Sequence, residues 1–173
     1  MKISATIQSL INEQINLELA SAHLYMAMAS YFLEAELRGF GNFFIVQVQE
    51  ENYHAMKHFH FLHEVGGRLQ LRTIEAPIDK FENPRHVFQI ALEHEEKVTK
   101  AIYHLIDAAL QEKDFATYTF LEWFVKEQIE EENLMRTILR KLEMIGDNTS
   151  ALFFLNEELS KRSYEPSNGE KEE

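Results

Sequence analysis

Four glutamates, Glu18, Glu51, Glu95 and Glu131, stand in this chain where apolar residues are expected. Each interrupts a series of apolar side chains at alternating three- and four-residue steps, the rhythm of one helix face. The clearest series is Phe88, Ala91, Glu95, Val98, Ile102, Leu105, Ala109, in which Glu95 takes a core position with apolar neighbours on both sides. In Leu121, Phe124, Gln128, Glu131, Met135, Ile138, two polar residues point inward. A single glutamate on a helix is usually a solvated surface group, but four at seam positions resist that reading. Burying isolated carboxylates is costly, and four at one level also repel one another. Two divalent cations would cancel their charge. A donor set of carboxylates with one imidazole, His54, suits iron, manganese or zinc better than copper or magnesium.

The spacing of these groups repeats. Glu18 to Glu51 and Glu95 to Gln128 are both 33 residues apart, and Glu18 to His54 and Glu95 to Glu131 are both 36. Two similar halves are implied: Glu18 with Glu51-x-x-His54, and Glu95 with Gln128-x-x-Glu131. The three-residue spacing keeps each pair on one helix face. In an antiparallel pair with a short turn, residues equidistant from the turn face each other. The midpoint of Glu95 and Glu131 is residue 113, beside Asp114, and that of Glu18 and Glu51 falls between Glu34 and Ala35.

Long helices must hold these groups in place. With six Gly and three Pro among 173 residues, the composition favours an all-α fold over many strands and turns. The pattern predicts a first helix from near Ser4 to about Leu33 and a second from about Leu37 to Val65, stopped by Gly66-Gly67. Gly39 and Gly41 argue for a later start of the second helix, but the Glu18–Glu51 register favours the earlier one. Arg68 to Asn83 lack helical periodicity and include Pro77, reading as a long crossover between the ends of an antiparallel four-helix bundle. Asn83-Pro84 opens a third helix to about Gln111. Asp114 caps a fourth to about Ile145, which Gly146 ends, and a short fifth helix covers Thr149 to Lys161. Residues 1–162 thus form one domain, and 163–173, SYEPSNGEKEE, a disordered polar tail. Trp123 reads as core, and Met26, Met28 and Met56 as gap-fillers. His58, His60 and His63 read as packed or exposed residues and not as ligands.

Inventory removes several classes of function. With no cysteine, disulfides, thiolate zinc sites, iron–sulfur clusters and cysteine nucleophiles are excluded. A net charge of −12, from 29 acidic and 17 basic residues, argues against a nucleic-acid partner and favours cations. No secretory leader and no membrane-spanning apolar run are visible, which points to a soluble, cytoplasmic protein.

The segments NEQINLELASAHLY, QEENYHAMKH, LEHEEKVTK and FLEWFVKEQIEEE carry Glu18, Glu51 with His54, Glu95, and Gln128 with Glu131. Together they resemble bacterial non-haem ferritins, from Met1 to about Arg162. The resemblance implies one iron held by Glu18, Glu51 and His54, and another by Glu51, Glu95 and Glu131. Glu51 would bridge the two, with Gln128 beside the second iron and Tyr25 close to the centre. It also implies a third, weaker iron site at Glu50, Glu127 and Glu130, oxidation of Fe(II) by O2 or H2O2, and a hollow shell of 24 subunits. Haem is not expected: a bacterioferritin would carry a second ExxH where this chain has Gln128-x-x-Glu131, and a haem-binding Met where it has Asn52. Two rival readings are a di-iron peroxidase or oxygenase acting on its own, and a structural shell subunit lacking a centre. The complete ligand set disfavours the second.

Overall fold

The computed structural model describes residues 3–164, and among these the chain forms five helices and no strand: α1 (Ala5–Glu34), α2 (Arg38–Glu64), α3 (Pro84–Glu112), α4 (Phe115–Ile145) and α5 (Thr149–Leu159). The expected tail lies outside the described residues from Glu165 onward. The helix starts are set by side chains that satisfy orphan amides of the first turn. Ser4 accepts from the Ile7 amide, Asn83 from His86 and Asp114 from Thr117. Lys113, in the left-handed conformation at φ 58°, turns the chain directly from α3 into α4, placing the turn where the Glu95–Glu131 register requires it.

The helices form two antiparallel pairs, α1 with α2 and α3 with α4. One apolar cluster gathers the C-terminal half of α1, the start of α2, the start of α3 and the end of α4, around Phe32, Phe40, Phe44, Phe88 and Met135. A second gathers the opposite ends, around Ile7, Ile11, Leu62, Ile102, Leu121 and Phe124. The bundle therefore has two apolar ends separated by a middle layer. For α2 and α3 to start at the same end, the chain after α2 must run back along the whole bundle.

That return is made by the crossover, which lies along α1 as an extended strand would along a neighbour. Gln8 accepts from the Arg68 amide at 2.9 Å. Asn12 donates to the Arg68 carbonyl at 2.9 Å and accepts from the Gln70 amide at 2.6 Å. Asn16 repeats the pattern with the Gln70 carbonyl and the Arg72 amide, at 3.0 and 2.7 Å. The match is geometric: four helical residues advance about 6 Å and two extended residues about 6.6 Å, so every fourth side chain of α1 meets every second peptide of the crossover.

Gly39 and Gly41 lie inside α2, as the register of Glu18 and Glu51 demanded. Leu37, at the N-cap, offers no polar side chain, and Asn156 of α5 replaces it, accepting from the Gly39 and Phe40 amides at 2.8 and 3.3 Å. A Cβ at Gly39 would lie 1.7 Å from the Asn156 carbonyl oxygen, so only glycine allows α5 this close. α5 ends at Leu159, short of the expected Lys161. Met28 is buried as expected, but Met26 and Met56 are not gap-fillers: they occupy the outward faces of α1 and α2 and are 60% and 48% exposed. Trp123 is only partly buried, lying edge-on to His54 beneath the Lys57 ammonium.

Candidate metal centre

Between the two apolar ends, the four helices each turn a glutamate inward. Glu18, Glu51, Glu95 and Glu131 are all buried, as are His54 and Gln128. The donor atoms of Glu18, Glu51 and His54 lie within 4.8 Å of one another, with His54 Nδ1 3.7 Å from Glu51 Oε2. Donors about 2.0–2.2 Å from a shared cation have separations of this order, whereas a hydrogen bond would be shorter. Glu95 and Glu131 belong to the same layer but stand outside that tight group. Tyr25 Oη donates to Glu95 Oε1, and Gln128 Nε2 donates to Glu95 Oε2 at 3.0 Å. Gln47 Nε2 donates to Glu131 Oε2 at 2.9 Å.

Burial dominates the electrostatics. It pushes the Glu95 carboxyl up to about 7, a rise that the hydrogen bonds from Tyr25 and Gln128 partly oppose. It pushes Glu131 up to about 8, with the Glu95 charge adding to the rise. Glu51 is held well above the ordinary carboxylate range by burial and then by the charges of Glu95, Glu18 and Glu131. Tyr25 is likewise raised by burial and by Glu95. Burial drives His58 well below the usual imidazole range. Burial is the first cause of each departure; among the carboxyls and Tyr25 neighbouring negative charge adds to the rise, while His58 is lowered further by the positive groups His54 and Lys57.

The layer also contains polar atoms with no hydrogen-bond partner: Glu18 Oε2, Gln47 Oε1 and both ring nitrogens of His58. Buried polar groups are seldom left so. Cations among the carboxylates would satisfy the lone pairs and cancel the repulsion, so the donor set fits divalent metal ions on chemistry as well as geometry.

The expected third site is looser. Glu50 is paired with Arg162 at 2.7 Å, and Arg162 also lies over the Phe43 ring. Glu127 reaches His54 Nε2 at 4.0 Å. Glu130 is exposed. These three do not form a tight donor cluster in the structure. Two glutamines outside the expected site residues also serve the layer, Gln14, which donates to Glu18 Oε1 at 2.7 Å, and Gln47. Each precedes a core glutamate by four residues on the same helix face, which was a legible signal. His58, expected to be packed or exposed, is fully enclosed, and its Nε2 lies 3.8 Å from Glu18 Oε1.

A four-helix bundle whose middle layer is built of buried carboxylates and imidazole is the scaffold of a carboxylate metalloprotein. The chain belongs to the ferritin family: the family's sequence model, described as a ferritin-like domain, matches residues 8–145. It is 37% identical over 163 residues to bacterial non-heme ferritins of Staphylococcus aureus and Staphylococcus haemolyticus, covering 94% of this chain and 98% of theirs. Among solved structures, it superposes on an engineered closed form of the Archaeoglobus fulgidus ferritin with a TM-score of 0.93 at 48% identity, over 95% of this chain and 100% of that one. An open pore ferritin from the same archaeon gives 0.92 at 49% identity, over 93% and 98%. The fold and the family place the chain among iron-storage proteins. No helix among the described residues is long and apolar enough to cross a membrane.

Proposed function

We propose that this chain is a ferroxidase subunit of a cytoplasmic iron store. Fe(II) is its substrate, taken in pairs at the middle of the bundle. Glu18, Glu51 and His54 hold one iron, Glu51, Glu95 and Glu131 the other, and Glu51 bridges them. Gln128 and Tyr25 orient Glu95 by hydrogen bonding. The observation that carries this reading is the convergence of one buried glutamate from each of the four long helices on a single layer with His54, where cations would cancel a charge that protonation alone otherwise relieves.

The two irons give up one electron each to a single molecule of O2 or H2O2, and the protons bound by the apo carboxyls are displaced as metal enters. The protein contributes by holding two metals within reach of one oxidant and by keeping bulk water out of the layer. The ferric product leaves for the interior of a shell of 24 subunits, built from residues 1–162 acting as one domain, with Glu50, Glu127 and Glu130 as a weaker third site on the way. The similarity to non-heme ferritins and the absence of a second ExxH support a centre without haem.

Replacing Glu51 by alanine tests the assignment. Stopped-flow absorbance should show rapid Fe(II) oxidation abolished, while size-exclusion chromatography still shows an assembled particle of about half a megadalton. Unchanged initial oxidation rates would refute the bridging role. A monomer or dimer that turns over an organic substrate or peroxide would favour the oxygenase reading.

A further inference from the structure

His58 is enclosed on all sides at 0% exposure, stacked on Phe124 with ring centroids 4.0 Å apart and edge-on to Phe120 at 5.3 Å. Neither ring nitrogen has a hydrogen-bond partner. An imidazole serving only to fill space would sacrifice its hydration for nothing, since an aliphatic side chain of similar size would pack there without that cost. The ring is aimed at Glu18 from the edge of the tight group of Glu18, Glu51 and His54, outside it: its Nε2 lies 3.8 Å from Glu18 Oε1. That is too long for a hydrogen bond, which spans about 2.7–3.2 Å, but suits two donors about 2 Å from one ion. Glu18 Oε2 is unpartnered as well, so the carboxylate has bonding capacity left. His58 also follows His54 by one helical turn, which puts both rings on the same face of α2. Two histidines four residues apart on a helix are a proven arrangement for gripping a divalent ion.

Resting on the assignment of the centre above, we propose that His58 is an additional ligand of the cation held by Glu18. The α1–α2 half of the site then offers two imidazoles, and the other half none. The asymmetry has a chemical consequence. The nitrogen-rich half prefers zinc and Fe(II) over harder ions such as Mn(II), while the all-oxygen half discriminates less between them.

The test uses the full-length assembled protein stripped of metal, with Zn(II) as the probe. Zinc-edge X-ray absorption of the complex loaded with one Zn(II) per subunit counts the imidazoles, and isothermal titration calorimetry gives the affinity. Wild type should show two imidazoles. His58→Leu should show one and bind the first Zn(II) at least about tenfold more weakly. A single imidazole in wild type, or an unchanged affinity in an assembled His58→Leu protein, overturns the role of His58 and leaves the centre standing. The wild-type count needs no variant, so it decides the matter even if His58→Leu does not assemble. Zn(II) binding that is indifferent to Glu51→Ala would instead overturn the centre itself, separating the two failures.

Discussion

At the scale of single residues, the proposed centre would exchange protons for metal. Glu95 and Glu131, pushed up to about 7 and about 8, are only partly ionised at neutral pH, so cations entering the proposed centre would displace protons. Zn(II) or Fe(II) uptake should therefore strengthen as pH rises from 6 to 8 and release protons. Calorimetry in buffers of different ionisation enthalpy would read that release directly, and a buffer-independent heat would contradict it. Tyr25 sharpens the argument, because its hydrogen bond lowers the Glu95 value against the pull of burial. Tyr25→Phe should leave the bundle folded and move the pH midpoint of metal uptake upward, by about one unit or less on the scale of one hydrogen bond. Arg162 plays the corresponding part at the expected third site, since its guanidinium is already paired with Glu50. Any cation that binds Glu50 must first compete with it, so Arg162→Ala should raise the metal stoichiometry measured by equilibrium dialysis.

At the scale of elements, the sequence was most legible where a signal and its effect are neighbours. Ser4, Asn83-Pro84 and Asp114 marked helix starts that the structure repeats, and the register of paired glutamates found both turns. It was least legible where an element is completed by a distant one. The start of α2 carries no cap of its own and borrows Asn156, more than a hundred residues away. The side chains of Gln8, Asn12 and Asn16 look like surface polars in sequence, yet they are the rails on which the crossover runs. The full enclosure of His58 was illegible for a similar reason, because it depends on rings from α4. Asn156→Ala should therefore cost about 1–2 kcal/mol, the usual loss for a helix cap, seen as a lower midpoint in thermal unfolding. Gly39→Ala should cost more, because its methyl group meets the α5 backbone and must push that helix away.

At the scale of the whole molecule, the proposed centre would link stability and metal loading through the same carboxyls. The folded chain raises Glu95 and Glu131 above the value of 4.5 they hold in an unfolded chain. It therefore binds more protons than the unfolded state across that interval. The sign follows: the metal-free protein is favoured below about pH 4.5 by these two groups and loses that contribution as pH climbs through about 7 and 8. Differential scanning calorimetry of the apo protein should show a falling midpoint from pH 5 to pH 8, with saturating Zn(II) restoring it. A flat profile would mean that these carboxyls are not confined as described. The two apolar ends described above carry a last implication. Cohesion is supplied at the poles of the bundle and spent at its waist, so the central layer can be rewritten without dismantling the scaffold. Filling that waist with leucine and methionine would yield a sturdier molecule with nothing left to do, the mark of a fold that trades durability for chemistry.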